Sequence, residues 1–155
     1  MLKQLARVNV DADGRFATEA ELQFLTDYLE SADSRISAYE KIRDAEEEIM
    51  DQVEELATAQ NPRVFYKGTR DMSATCRRDR KHILRSVSAA MLLSDLDSLR
   101  DGLLLWQRTI IHAFQFQPAS QVVCQLMPTV INQQLLPEEA QQIMPALQLS
   151  QALLS

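Results

Sequence analysis

The stretch Met72 to Asp95 constrains this chain more than any other, because its apolar pattern is that of a helix. Ile83, Leu84, Val87, Ala90 and Met91 recur at helical spacing, and Ser73 stands where an N-cap is needed. Near the start of this helix, Asp79 follows Cys76 by three residues. At about 100° per residue the two lie about 60° apart on one face. Ile83 continues that face one turn on. A thiol, a carboxylate and an apolar shelf in line suit a flat, conjugated, nitrogen-bearing ligand held by a covalent bond. Plainer readings exist for the same residues. A single helical cysteine is commonly an inert, partly buried small residue. Asp79 with Arg78 or Arg80 makes a surface ion pair of little energy.

The flanking sequence predicts more helices. Leu2 to Val8 reads as a short helix with Leu2, Leu5 and Val8 on one side, and Asp11 to Gly14 as a turn. Thr18 to Glu21 forms a capping box, opening a helix with Leu22, Leu25 and Leu29 on one face beside Phe24 and Tyr28. Asp33 or Ser34 starts a long helix to about Ala59, with Ile36, Tyr39, Ile49, Val53 and Leu56 as its apolar positions. Its acidic residues, Glu46, Glu47, Glu48, Glu54 and Glu55, read as a solvated face or, alternatively, a partner-docking face. Asn61-Pro62 stops it, and Arg63 to Asp71 is a loop. Beyond the central helix Asp97 is the expected cap. Leu99, Leu103, Trp106, Ile110 and Phe114 recur at spacings of 4, 3, 4 and 4, one amphipathic helix ended by Pro118. Val123, Leu126, Val130 and Ile131 mark another, which Pro128 is expected to kink or split. Pro137 followed by Glu138 and Glu139 starts a last helix, disturbed at Pro145. With only 3 Gly and 5 Pro, the expectation is an all-α fold of six or seven helices in one domain, residues 1–155. That length buries on the order of 70% of the unfolded chain's surface.

Charge and motif content narrow the function classes. A net charge of −6 argues against generic nucleic-acid binding. The basic run Arg77 to Arg85 reads as a solvated face or a phosphate-binding patch. Cys76 and Cys124 match no metal spacing, and Cys124 in Val-Val-Cys-Gln-Leu reads as core, consistent with a reducing, cytosolic setting. His82 and His112 stand singly. No phosphate loop, catalytic triad order, secretory leader or membrane span is visible, and nothing argues for an enzyme.

Cys76-Arg-Arg-Asp79, then Ile83-Leu-Arg85, then Ala90-Met-Leu-Leu-Ser-Asp95 resemble the bilin-attachment helix of the phycobiliproteins, the antenna proteins of the phycocyanin and allophycocyanin type. Asp11-Ala-Asp-Gly-Arg-Phe16 with Glu21-Leu22-Gln23 resembles the link between that family's two N-terminal helices. The resemblance covers residues 2 to about 135. It implies a globin-like, phycocyanin-like helical fold with a short N-terminal helical hairpin. It also implies one open-chain tetrapyrrole (a bilin of the phycocyanobilin type) bound by a thioether to Cys76. Asp79 would accept hydrogen bonds from pyrrole N–H groups, and Arg78 or Arg77 would pair with a propionate. Arg77, Arg78 and Arg80 should favour the thiolate that makes the tether. The implied role is light harvesting and excitation-energy transfer in a cyanobacterial or related phycobilisome. The alternative is an accessory or regulatory protein on the same fold that binds phycobilisome components, or a bilin transiently. Implied partners are a phycobiliprotein-like subunit or a second copy, met through the hairpin, and other phycobilisome components. The implied place is the cytoplasm, on the cytoplasmic face of the thylakoid membrane. Departures from the family pattern are His82 and Ile83 for its paired tyrosines, Ser86 and Ala89 for later tyrosines, and Leu93-Ser94 before Asp95.

Overall fold

In the computed structural model, which describes residues 1–155 apart from the Leu2 side chain, helix follows helix along nearly the whole chain. Helices α1 (Leu2–Asp11) and α2 (Glu19–Glu30) form a hairpin across a turn where Gly14 takes a φ of 75°. The expected capping box is present: Glu21 N–H donates to the Thr18 hydroxyl, and Thr18 N–H donates to the Glu21 carboxylate at 2.8 Å. Of the expected α1 face, Leu5 and Val8 are half-buried, while the Leu2 side chain lies outside the described residues. No α2 residue is fully buried; Phe24, Leu25 and Tyr28 turn partly inward, and Leu22 and Leu29 stay exposed. The hairpin is tied down by the Met1 ammonium on the Ser94 carbonyl at 2.9 Å and by the Tyr28 hydroxyl on the Leu92 carbonyl at 3.1 Å.

Behind it stand α3 (Ala32–Asp44), α4 (Glu46–Gln60), a short β-hairpin (β1, Tyr66–Lys67; β2, Arg70–Asp71), and the central helix α5 (Ser73–Leu93). They are followed by α6 (Leu96–Leu99), a π-helical turn (Arg100–Leu104), α7 (Leu105–Ala113), α8 (Gln117–Gln134) and α9 (Pro137–Leu154). α9 packs against α3, α5 and α8, and α4 packs on α8. Ile49, Met50, Val53, Val87, Val130, Ile131 and Ile143 meet in the core. The fold is all-α and globin-like, with the helical hairpin in front. No helix among the described residues is long and apolar enough to cross a membrane.

Several elements differ from the sequence reading. The long helix expected from Asp33 to Ala59 is two helices that break at Ala45. The break resets the apolar stripe, so Ala38 and Ile42 face inward before it and Ile49, Met50, Val53 and Ala57 after it. Ile36 and Leu56, two of the expected apolar positions of that helix, are exposed. Ser73 is the first residue of α5 rather than its cap; Asp71 accepts its N–H at 2.8 Å and its hydroxyl at 2.6 Å. Asp95, not Asp97, caps α6 by accepting Ser98 N–H at 3.1 Å. Pro128 and Pro145 split neither α8 nor α9. A proline in a helix costs about 3 kcal/mol or more. Here buried Met127 and Val130 flank one and Ile143 and Ala146 the other, so packing holds both helices together.

The largest departure follows Leu99. The π turn carries one extra residue, which rotates everything beyond it by about 100°. Leu99 and Leu103 are buried as expected, but the buried face continues through Leu104, Gln107 and Ile111. Trp106 and Phe114, on the expected apolar face, are 58% and 52% exposed. Leu104→Ala should therefore destabilise the protein by about 3 kcal/mol. Trp106→Ala should cost less than about 1 kcal/mol, a ranking that urea denaturation of the two variants checks.

Glu139 clamps the start of α9 to α3. It is 2% exposed and accepts from Lys41 Nζ at 2.6 and 2.8 Å, from the Ser37 hydroxyl at 2.6 Å and from Leu136 N–H at 2.8 Å. Burial opposes its ionisation, but these donors outweigh burial and hold its carboxyl at about 2, against 4.5 ordinarily. A depressed carboxyl stabilises the fold above its unfolded value and loses that contribution as pH falls through its folded value. The stability gap between wild type and Glu139→Gln should be full above about pH 5 and close as pH falls toward about 2, as followed by thermal melts across that range.

Candidate functional site

The acidic face of α4 and the basic face of α5 meet. Glu46 takes Arg85 in two bonds of 2.6 and 2.7 Å. Glu47 binds Arg77 at 2.9 Å and also Lys81. Asp51 binds Arg77 at 2.8 Å, and Glu54 binds Arg77 at 2.8 Å and also Arg80. Reading these runs as separate solvated faces is thus corrected: most of their charges neutralise each other within the chain. Arg77, Lys81 and Arg85 share one side of α5 because they lie four residues apart, one turn each. With α5 anchored on that side, another side turns toward α7, α8 and α9.

There it lines a cavity of about 290 Å³. Cys76, Asp79 and Arg78 all line it, whereas Arg77 does not and remains with its three acids. Ile83 lies on it as the sequence suggested, with Leu84 and Val87 from α5. Ile111 from α7, Met127 from α8 and Leu147 from α9 complete apolar walls. Asp79 accepts from Arg78 Nε at 3.2 Å and Nη2 at 3.0 Å, both on Oδ1. Arg78 otherwise stands in solvent, its side chain 77% exposed. Its long stem thus reaches round to Asp79, which its own helical direction would not have suggested. Cys124, read as core, is half-buried and lines the same cavity.

Burial pushes the Cys76 thiol up, and only Arg80 among the neighbouring arginines opposes it, with Asp79 adding to the rise. The expectation that Arg77, Arg78 and Arg80 together favour the thiolate is therefore overturned. Arg77 is neutralised by acids and Arg78 extends into solvent, so desolvation dominates. Burial likewise pushes the Arg80 guanidinium down, with Glu54 opposing.

Arg80, read from the sequence only as a surface partner for Asp79 and a cation near the thiol, is instead buried beside the cavity. It is 5% exposed, lies on the cavity, and stacks on Phe65 with its Cζ 4.5 Å from the ring centroid. Glu54 holds Nη2, but Nε and Nη1 are buried with no partner among the described residues. Leaving a buried donor unsatisfied costs about 1–3 kcal/mol. The signal was present in the spacing: Arg80 follows Cys76 by four residues and so stands on its face one turn on.

A raised thiol carries less thiolate at neutral pH than an ordinary cysteine. Alkylation of Cys76 by iodoacetamide, followed by peptide mass mapping, should be slow at neutral pH and still be climbing above the ordinary thiol value of 9.0.

Among curated proteins, none matches this chain. A family model described as "Phycobilisome protein" matches residues 7–153. That span takes in the second half of α1, all of α2, the whole of α5 with its cavity-lining Cys76 and Asp79, and nearly all of α9. With the match running through almost the entire chain, this protein belongs to the phycobilisome protein family.

Proposed function

We propose that this protein is a light-harvesting subunit that carries one bilin on Cys76 and passes excitation energy within a phycobilisome. The observation that carries the reading is that Cys76 and Asp79 line one cavity with apolar walls, in a chain of the phycobilisome family. The donor set suits the group: a thiol for the tether, a carboxylate for pyrrole N–H groups, and an exposed arginine at the rim for a propionate. A bound bilin supplies visible absorption and a route for non-radiative energy transfer. Cys76 holds the ligand in place through sulfur. Asp79 keeps protons on the inner nitrogens; charge-assisted bonds of this kind are worth about 1.5–3 kcal/mol each. Arg78 exchanges its bond to Asp79 for a propionate. Ile83, Leu84 and Met127 exclude water and stiffen the ligand, and Arg77 serves α5 rather than the ligand.

The front hairpin is the proposed contact with a phycobiliprotein-like subunit or a second copy. It leaves Phe16, Val10 and Leu29 at 97%, 71% and 62% exposure, more apolar surface than a free hairpin needs. The proposed role is non-catalytic and the proposed place cytoplasmic, at the thylakoid surface. The burial that pushes the Cys76 thiol up favours a second reading, an accessory protein that holds a bilin transiently or binds other phycobilisome components.

Co-expression with a bilin-producing pathway and a bilin lyase, followed by a denaturing gel under zinc illumination, separates the two. The light-harvesting reading requires a fluorescent band that Cys76→Ala abolishes and Cys124→Ala retains. Asp79→Asn should keep the band and weaken long-wavelength absorption. Folded protein without a band selects the accessory reading.

A further inference from the structure

The partnerless N–H groups of Arg80 call for a ligand of their own. A guanidinium this deeply buried normally has each N–H bonded. Glu54 serves Nη2 only and also binds Arg77. Phe65 covers the guanidinium face, which binds the cation without accepting an N–H in its plane. Nε and Nη1 remain, on a side chain that lines the cavity. Asp79, the nearby acid on the same cavity, is already bound to Arg78. What such a site recognises is an anion carried in by something greasy. The walls, from Leu84, Val87, Ile111, Met127 and Leu147, reject a bare hydrated ion and accept an apolar body.

We propose that Arg80 is an internal receptor for the carboxylate of an apolar acid that enters the cavity, a function separate from the covalent tether at Cys76. It deepens the pigment reading, because a tetrapyrrole bears carboxylates on an apolar frame, but it does not require a tether. The same chemistry admits a second source, a free long-chain acid. Nη2 stays with Glu54 throughout, so the acid adds to the buried charge pair instead of competing with it.

Two probe pairs on the Cys76→Ser protein, which removes the tether, test this by tryptophan quenching and calorimetry: biliverdin against its dimethyl ester, and dodecanoate against methyl dodecanoate. At least one acid should bind about tenfold or more tighter than its ester. Arg80→Met, with its fold checked by circular dichroism, should erase that preference while leaving ester binding unchanged. Preference for biliverdin alone assigns the receptor to a pigment acid, and preference for dodecanoate alone assigns it to a free acid. No acid-over-ester preference in the Cys76→Ser protein overturns the proposal even if Arg80→Met fails to fold. A preference that survives in folded Arg80→Met overturns it too. A missing zinc-fluorescent band on the Cys76 protein overturns only the tether, so the two failures are distinguishable.

Discussion

The charge seam between α4 and α5 sets the roll of the central helix, and the site depends on that roll. The apolar stripe of Leu84, Val87, Ala90 and Met91 turns one face of α5 inward, but its start is rich in arginine and lysine, so the roll there needs a further reason. Glu46, Glu47, Asp51 and Glu54 supply that reason by engaging Arg85, Lys81, Arg77 and Arg80. Exposed pairs of this kind contribute little singly, and Glu47, Asp51 and Arg85 are largely in solvent. The Glu54–Arg80 pair differs because its arginine is buried, and breaking a buried pair is far more costly than breaking an exposed one. The outer pairs act as a register, and the inner pair as the anchor.

Backbone irregularities then build the opposite wall. Straight α-helical continuation from Leu99 would have turned Trp106 and Phe114 inward and moved Gln107 and Ile111 off the core. The π turn reverses this within five residues. Prolines within α8 and α9 sit between buried residues on both sides, so packing outweighs the missing backbone bonds. Every side of the cavity thus depends on a neighbour at long sequence separation.

One medium governs the chemistry of the cavity. The burial that pushes the Cys76 thiol toward its neutral form also pushes Arg80 toward its own neutral form, and each acts on the other in the opposite sense. The cavity thus sets a thiol and a cation, four residues apart in the chain, among apolar walls.

The sequence by itself determined the helical class, the hairpin with its Thr18–Glu21 capping box, and the alignment of Cys76, Asp79 and Ile83. All of these follow from short-range periodicity and local hydrogen bonds, which the spacing of residues states directly. Its reading stopped where local preference is overruled from a distance. The break at Ala45, the extra residue after Leu99 and the continuity of α8 through Pro128 are decided by what packs against them. The roles of the arginines were equally hidden. Arg77, Arg78 and Arg80 are near neighbours in one run, yet one binds three acids, one stands in solvent and one is buried beside a cavity. Charge identity is written in the sequence; desolvation and partner choice depend on helices that only the folded chain brings together, and those decide which arginine can meet a ligand.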